Sequence, residues 1–439
     1  MTQTMMRRRT ALTSLLCGLL ASCDDPKPSI PGRQVPVMKI VNAMDISENA
    51  PQVSLPQATA LASWPQPLAN AAHAPGNVSG PLGFKPLWHA GIGAKGGYRQ
   101  PLAASPIIAG GQVFTMDADA VVRAFSLTDG NISWHESTRP KHSTGQNIGG
   151  GIAYDSGKIY ATTGYGELLS LDATSGKILW RQKLDFPPRG APLVAGGLAA
   201  VITQNDLLLT FNAGSGQPGW RFTGTVGQPS VTAVGITGAP AYMDGIIVAG
   251  FSSGMLAAID ANSGTPVWEQ SLAGSFGQGS GNGMSDIVGS PTIAGGVVYA
   301  ISLGGTFMAV DLHSGAKVWT HSATGTQPVC LAGGFAFLVD DSQMLYAVHA
   351  DDGLVSWALQ LPAFHNAKKR KDPIQWTGPI LVNGTLVLAS DHNQIALVDA
   401  VAGSLKSTVK LKAQADMPPV AVGGMLLQLT RDGTLTAYN

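Results

Sequence analysis

The sequence predicts an all-β fold, an eight-bladed β-propeller of four-stranded antiparallel blades whose last blade is closed by a strand from the N-terminus. Three observations lead to this prediction. Similar blocks recur from residue 105 to the end, a Trp stands at a nearly constant distance from the start of most blocks, and the chain stops one strand short of completing its last block. Repeats that cannot bury an apolar face alone stack on their neighbours, and a repeat of this length fits a blade.

Each block has the pattern of four short strands. Residues 290–299 (SPTIAGGVVY) resemble residues 105–114 (SPIIAGGQVF), and a further apolar run leads to the turn at residues 311–315 (DLHSG) and then to Trp319. Apolar runs separated by Gly pairs and Asp/Ser/Gly turns are typical of antiparallel strands joined by tight turns. Glycine supplies the positive φ in the turn, and the Trp fills the wedge between neighbouring blades and carries an N–H donor.

The spacing within a block is fixed, whereas the spacing between blocks varies. The first five openings precede their Trp by 28 residues and the sixth by 29, and in the seventh block Ser407 replaces the Trp. From that position to the next opening the distance varies from 9 to 23 residues. The variation therefore lies in the connectors from strand four to strand one, which all emerge on one face. Insertions on one face mark the working surface of a repeat protein.

The two ends of the chain are predicted to complete one blade. The last block starts at Pro419 and stops at Asn439, where a fourth strand should begin. Residues 86–91 (PLWHAG) have the pattern of that strand, and Trp88 lies 18 residues before Pro106, within the range of the connectors. Pairing these segments closes the ring. Residues 79–439 are therefore predicted to form the propeller.

Residues 1–22 are predicted to be a leader that is removed. Three arginines at residues 7–9 precede an apolar stretch that is too short to span a bilayer. Residues 20–23 (LASC) resemble a bacterial lipobox, which implies cleavage before Cys23 and lipid on its thiol and new amine. The alternative is an ordinary signal peptide with a chance Cys. Residues 23–78, rich in Pro, Ala, Asn and Gln, are predicted to be a lipidated tether with an ordered end near residues 64–66 (WPQ).

The charge balance and the cysteines exclude further classes. Without the leader, 24 basic residues face 27 acidic ones, so there is no basic excess to neutralise a phosphate backbone and nucleic-acid binding is not expected. If Cys23 carries lipid, Cys330 is the one remaining thiol, and no disulfide can form within the chain. Its apolar neighbours predict a buried, inert thiol.

The repeat A/D-x-x-[ST]-G-x-x-x-W resembles that of propellers of the pyrroloquinoline-quinone (PQQ) type. With eight blades and the lipobox, residues 64–439 resemble the BamB family of outer-membrane assembly lipoproteins, and residues 64–73 (WPQPLANAAH) resemble an ordered segment of its alphaproteobacterial members. The resemblance implies a non-catalytic scaffold without a cofactor, anchored by lipid at the periplasmic face of the outer membrane and aiding the insertion of outer-membrane proteins. Asp24 follows the lipid Cys, and in some bacteria this residue favours inner-membrane retention instead.

The resemblance also implies partners and a surface for them. The partners are a POTRA domain of BamA and the other subunits of the β-barrel assembly (BAM) complex, with unfolded outer-membrane proteins as a further candidate. In the family, connectors before two adjacent blades bind BamA, and the matching connectors are residues 223–238 and 273–289. The implied partner-binding residues are Val231, Ala233, Asp286 and Ile287. The family's basic residue has no counterpart near residues 234–235, and the alternative is that these connectors are merely longer loops.

A PQQ-dependent periplasmic dehydrogenase shares this propeller and is the alternative function. Such an enzyme needs carboxylate and amide oxygens for Ca²⁺, a catalytic Asp and commonly a vicinal Cys pair. The sequence has no Cys-Cys, and no Glu and Asn accompany Asp286 as ligands. We therefore predict no catalytic, cofactor-binding or metal-binding residue.

Three further loop patterns suggest chemistry less strongly. His135 and His142 lack zinc spacing, and the four glycines of residues 277–283 lack the phasing of a phosphate loop. Residues 368–371 (KKRK) form a basic tip in the connector before the seventh block. They predict either a solvated loop or a contact with lipid headgroups or an acidic partner.

Overall fold

The computed structural model describes residues 44–143, 145–224, 238–273 and 284–439. In these ranges the regular structure is all β, and 32 of the strands form eight four-stranded antiparallel blades. This confirms the predicted eight-bladed propeller. The first strands of neighbouring blades contact one another, as β-strands that line the central axis must.

The strands of the first half of the ring follow one another in chain order. Two precede the first complete blade: β1 (Asn77–Val78) and β2 (Pro86–Gly91). Blade 1 has β3 (Ile107–Ala109), β4 (Gln112–Met116), β5 (Val121–Ser126) and β6 (Ile132–Ser137). Blade 2 has β7 (Gly150–Asp155), β8 (Lys158–Thr163), β9 (Glu167–Asp172) and β10 (Ile178–Lys183). Blade 3 has β11 (Leu193–Ala195), β12 (Leu198–Ile202), β13 (Leu207–Asn212) and β14 (Pro218–Thr223). Blade 4 has β15 (Ala241–Met243), β16 (Ile246–Gly250), β17 (Met255–Asp260) and β18 (Pro266–Ser271).

The second half of the ring continues in the same way. Blade 5 has β19 (Thr292–Ala294), β20 (Val297–Ile301), β21 (Phe307–Asp311) and β22 (Lys317–His321). Blade 6 has β23 (Cys330–Ala332), β24 (Phe335–Val339), β25 (Met344–His349) and β26 (Val355–Gln360), and is followed by a hairpin of β27 (Phe364–Asn366) and β28 (Lys371–Pro373). Blade 7 has β29 (Trp376–Val382), β30 (Thr385–Ser390), β31 (Gln394–Asp399) and β32 (Ser404–Lys410). Blade 8 has β33 (Val420–Val422), β34 (Met425–Leu429), β35 (Thr434–Tyr438) and β2.

Blade 8 is closed by the N-terminal strand, as predicted. Strand β2 pairs antiparallel with β35, with His89 opposite Thr436. Just beyond that ladder, the backbone N–H of Asn439 donates to the carbonyl of Lys85 at 3.0 Å. The first and last strands of the propeller thus lie side by side, and the ring is closed by backbone hydrogen bonds.

A Trp on the fourth strand ties each of seven blades to the next. Each indole Nε1 donates to a backbone carbonyl of the following blade at 2.7–3.2 Å, which confirms the predicted role of the N–H donor. The donors are Trp88, Trp134, Trp180, Trp220, Trp268, Trp319 and Trp357. In blade 7 the exposed Ser407 takes this place, as the sequence indicates.

The two faces of the propeller carry different connections. Because successive strands are antiparallel, the connectors from strand four to strand one lie on the same face as the turns from strand two to strand three. We call this the connector face; it includes residues 184–192 and 284–291. The turns from strand one to two and from three to four lie on the opposite, turn face, as at residues 295–296 and 312–316.

Residues 44–78 lie against the propeller, although the sequence shows no periodicity there. In chain order they hydrogen-bond to blades 6, 8, 1, 2, 3, 4, 5 and 7, and β1 adds a fifth, parallel strand to blade 7. Trp64, for example, exchanges two backbone hydrogen bonds with Ile108 and is fully buried. Most of these contacts use backbone groups, so side-chain pattern does not reveal them.

Candidate functional site on the connector face

Arg189 stands at the centre of the connector face around blades 3 to 5. It belongs to the connector before blade 3, where its backbone N–H donates to the carbonyl of Ile202 at 2.8 Å. Its guanidinium pairs with Asp206 at 3.4 Å and, through the other terminal nitrogen, with Asp286. The side chains of Arg189, Asp206 and Asp286 are 0%, 1% and 2% exposed. One buried cation therefore joins two carboxylates that are distant in sequence.

Asp206 extends this cluster to blade 4. It occupies the turn between β12 and β13 with φ of +60°, a conformation that Asp tolerates better than most residues. Its carboxylate accepts a hydrogen bond from the backbone N–H of Ser252 at 3.1 Å and another from the Ser252 hydroxyl. Four parts of the connector face are thus held together by one buried network: the connector before blade 3, the turn of blade 3, the turn of blade 4, and the connector before blade 5.

The structure places Asp286 and Ile287 inside the protein, not on its surface. Ile287 is 1% exposed, and its backbone N–H donates to the carbonyl of Phe251 at 3.2 Å. A Cβ on Gly250 would lie 2.5 Å from the Ile287 side chain, so Gly250 makes room for it. The backbone carbonyl of Asp286 accepts from Leu303 of blade 5. Both residues therefore fix the base of the connector 273–289 to blades 4 and 5.

The other positions implied by the family resemblance lie outside the described residues. Cys23, Val231 and Ala233 belong to these, and so does the whole glycine-containing loop at residues 277–283. The matching connectors are described only at their ends, from Thr223 to Gly224, at Gly238, and at residues 273 and 284–289. Gly238 donates its backbone N–H to the carbonyl of Val288 at 2.7 Å, so the ends of the two connectors are hydrogen-bonded to each other.

Sequence reasoning missed Arg189 and two exposed apolar side chains beside it. Ile148, in the connector before blade 2, and Phe186, in the connector before blade 3, are each 46% exposed. Asn147 Oδ1 accepts the N–H of Gly164 and fixes the loop next to Ile148. Aromatic side chains such as Phe186 are enriched in protein interfaces, so the two residues form a candidate contact on this face. The signal in the sequence was the apolar residue in each connector, but no periodicity singled it out.

The inner strands around the axis are covered by the N-terminal segment near the turn face. The first strands of blades 2, 4 and 5 each donate a backbone hydrogen bond to this segment, at the carbonyls of Pro65, Ala71 and Ala72 respectively. His73 is fully buried there, with Nδ1 2.8 Å from the carbonyl oxygen of Pro291. Burial lowers the pKa of His73 to about 4, against a smaller opposing effect of that hydrogen bond. The N-terminal segment therefore covers the inner strands of these blades at the end of the axis that lies near the turn face.

The His and Cys side chains that the sequence analysis considered as metal ligands or nucleophiles can be located in the described residues. Across those ranges no group of three or more His, Cys, Asp or Glu side chains could hold a metal ion. His135 and His142 are exposed on loops or strand edges. Cys330 is buried as predicted, and burial raises the pKa of its thiol to about 12. In the part of the chain that the structure describes, no helix has the length and apolar character to cross a membrane.

These features define an eight-bladed propeller with PQQ-like repeats and a connector face organised by buried charge. The sequence profile of a family described as outer membrane protein assembly factor BamB matches residues 141–359. Relatives of that name include one from Yersinia pestis, 24% identical over 80% of this chain and 88% of its own length. Another, from Escherichia coli K12, is 25% identical over 75% of this chain and 82% of its own length. The chain belongs to the BamB family.

Solved structures show the same fold. The BamB crystal structure from Moraxella catarrhalis superposes with a TM-score of 0.68 at 18% identity and covers 81% of this chain and 99% of that one. A quinohemoprotein alcohol dehydrogenase from Comamonas testosteroni superposes with a TM-score of 0.67 at 14% identity, covering 87% and 81%. The propeller is thus shared by proteins of different activity, and fold alone does not separate them.

Proposed function

We propose that this protein is a non-catalytic scaffold lipoprotein of the outer-membrane β-barrel assembly complex. It binds a periplasmic POTRA domain of BamA through the connector face and aids the insertion of outer-membrane proteins. Membership of the BamB family supports the general role, because the relatives are named as outer membrane protein assembly factors. The observation that carries the choice of surface is the buried cluster of Arg189, Asp206 and Asp286.

The cluster suits a binding surface because it fixes loops without occupying their outer side. Long connectors lose conformational entropy when they bind a partner, and anchoring their ends beforehand reduces that loss. Asp286 and Ile287 hold the end of the connector before blade 5, and Gly238 ties it to the connector before blade 4. We assign Asp286 and Ile287 a positioning role, and Val231 and Ala233 the direct contact that the family pattern implies.

The contact surface extends beyond those two connectors. Ile148 and Phe186 are exposed on the same face, in the connectors before blades 2 and 3. Arg189 lies three residues after Phe186, so the network that holds Asp286 also fixes the chain next to this apolar side chain. A partner seated on the face around Arg189 meets the exposed side chains of Ile148 and Phe186, and aromatic side chains are enriched in protein interfaces.

The proposed anchor is lipid on Cys23, which places the protein at the periplasmic face of the outer membrane. Residues 23–43 then serve as the tether, and residues 44–78 join it to the propeller through hydrogen bonds to every blade. Several acyl chains bind a bilayer firmly, because each buried CH₂ contributes about 0.8 kcal/mol. No feature of the described residues favours the dehydrogenase as a second function.

The direct test is binding of the purified chain to the POTRA region of BamA from the same organism. We expect the pair Ile148→Ser and Phe186→Ser, and separately the pair Val231→Asp and Ala233→Asp, to weaken binding at least about tenfold. The matched control is Leu179→Ser with Val267→Ser. These side chains are 45% and 42% exposed but lie on the outer strands β10 and β18, away from the connector face.

Two results would overturn the proposal. The first is recovery of no barrel-assembly subunit when the chain is captured from solubilised membranes. The second is equal loss of binding in the control pair, which would place the contact elsewhere. Alcohol oxidation by the purified chain with PQQ and Ca²⁺ would restore the enzyme alternative.

A further inference from the structure

The hairpin between blades 6 and 7 is the most strongly charged element of the described chain. Strands β27 and β28 pair Phe364 with Pro373 and Asn366 with Lys371, and the turn between them is residues 367–370. Four consecutive cations occupy the turn and the start of β28, and all are exposed: Lys368, Lys369, Arg370 and Lys371. The hairpin is thus a defined structure and not a free loop end.

The charge of this tip is not neutralised by the protein around it. None of the four cations takes part in an ion pair within the described ranges. The acid of the hairpin, Asp372, is engaged by His392, whose Nε2 lies 3.2 Å from its carboxylate. Arg370 lies over the ring of Phe364, 5.5 Å from its centroid, which keeps the turn compact. Four positive charges therefore face solvent together.

The N-terminal segment hydrogen-bonds to the outer strand β26 of blade 6, and the hairpin follows that strand in the chain. Ser47 donates its backbone N–H to the carbonyl of Val355, the first residue of β26, and Ser356 donates its hydroxyl to the carbonyl of Pro51. Strand β26 ends at Gln360, four residues before the hairpin begins. The segment therefore reaches the propeller at one end of a six-residue strand, and the basic tip follows the other end. A strand of this length spans roughly 20 Å.

This arrangement places the rim of blade 6 near the membrane, if the lipid anchor proposed above exists. The 21 residues from Cys23 to Ala43 can reach at most about 75 Å when extended. A short tether raises the local concentration of a nearby second contact, so that even a weak electrostatic attraction is populated.

We propose that the hairpin β27–β28 rests on an anionic phospholipid surface and acts as a second membrane contact. The tip carries no large apolar side chain, so the contact is electrostatic at the headgroups and not an insertion. Each cation near an anionic surface favours the bound state by about fivefold. The connectors before blades 4 and 5 lie two to three blades away around the ring, so this contact leaves them open to a partner.

The test uses the chain purified from membranes as the cell matures it, with the variant Ala367→Cys carrying a fluorophore on the hairpin. Cys330 is buried and does not compete for the label in the folded protein. The probes are vesicles of phosphatidylcholine with a lipid-borne quencher, with or without phosphatidylglycerol. We expect quenching with phosphatidylglycerol only, and its loss as salt rises. A label at Thr174→Cys in blade 2, across the ring, should not be quenched in either case.

Charge variants separate this contact from the rest of the protein. Lys368→Glu with Lys369→Glu should weaken the hairpin contact at least about twentyfold and return quenching to the level without phosphatidylglycerol. Lys177→Glu with Lys183→Glu, the same charge change in blade 2, should leave quenching intact. The two double variants should bind the POTRA region of BamA equally well. This result distinguishes failure of the membrane contact from failure of the proposed function.

Either of two outcomes would overturn the proposal. One is quenching that is equal with and without phosphatidylglycerol. The other is a hairpin that is unaffected by vesicles but is crosslinked to a protein in native membranes, which would assign the tip to an acidic partner.

Discussion

The indole Nε1 of Trp268 in blade 4 donates a hydrogen bond to the carbonyl oxygen of Leu312 in blade 5 at 2.7 Å. The same indole lies against Gly315, three residues further along that turn. An added Cβ at Gly315 would come within 2.6 Å of Trp268, and six other blade junctions repeat this packing. The glycine of each turn thus serves two purposes, since it adopts a positive φ and admits the Trp of the preceding blade.

Gly315→Ala should therefore destabilise the protein more than its turn conformation alone requires. The left-handed backbone conformation, with φ of +70°, costs a non-glycine residue about 1–2 kcal/mol. The clash with Trp268 adds about 1–3 kcal/mol of overpacking. Gly296→Ala is the control, because its φ of +76° is similar and its Cβ would meet nothing within 4 Å. Urea unfolding should rank the two losses, and equal losses would mean that the Trp does not need the glycine.

Arg189→Met should destabilise the protein by about 3–5 kcal/mol, because it leaves two carboxylates buried without their cation. Arg181→Met is the matched control. It removes the pair with Glu167 at 2.6 Å, where the arginine side chain is 31% exposed, and should cost about 1 kcal/mol or less. Urea denaturation of both variants measures the difference. A loss for Arg189→Met no larger than that of the control would contradict the buried cluster.

His73 should make the fold sensitive to acid. Burial lowers its pKa to about 4 in the folded protein from an ordinary 6.5, so the unfolded chain binds a proton that the folded chain does not. Stability is complete above pH 6.5 and falls as the pH drops toward 4, with about 2 kcal/mol lost from this residue at pH 5. His73→Asn should remove that contribution, since Asn tolerates the φ of +60° at this position.

The measurement is the urea midpoint of both proteins at pH 7.5 and pH 5. Because the two proteins have the same carboxylates, protonation of these groups affects both equally. The unmodified chain should lose more stability than His73→Asn between these pH values. An identical loss in the two proteins would show that His73 is protonated freely in the folded state.

The thiols should report both the burial of Cys330 and the state of Cys23. In the folded, mature protein we expect no reaction with a thiol reagent, because burial raises the pKa of Cys330 to about 12 and blocks access. One thiol should react after unfolding. A thiol that reacts already in the folded protein, in addition to the one exposed by unfolding, would mean that Cys23 carries no lipid. That result would contradict the proposed anchor.

Much of the fold could be predicted because its rules act within one repeat. The distance from Pro291 to Trp319, repeated in other blocks, specifies a blade without knowledge of its neighbours. The unfinished last block and residues 86–91 likewise predicted the pairing of β2 with β35. The candidate site was predicted less well. Asp286 was identified by family pattern, but its burial and its partner Arg189, 97 residues away, were not.

The sequence by itself determined the blade, the number of blades, the split closure and the face that carries the variable connectors. These follow from local alternation, turn residues and spacing, which depend on near neighbours in the chain. Only the tertiary structure decided that residues 44–78 contact all eight blades, that His73 is buried and that Arg189 bridges Asp206 and Asp286. The reason is physical: backbone hydrogen bonds and buried ion pairs join residues brought together by ring closure, and neither leaves a periodic trace in sequence.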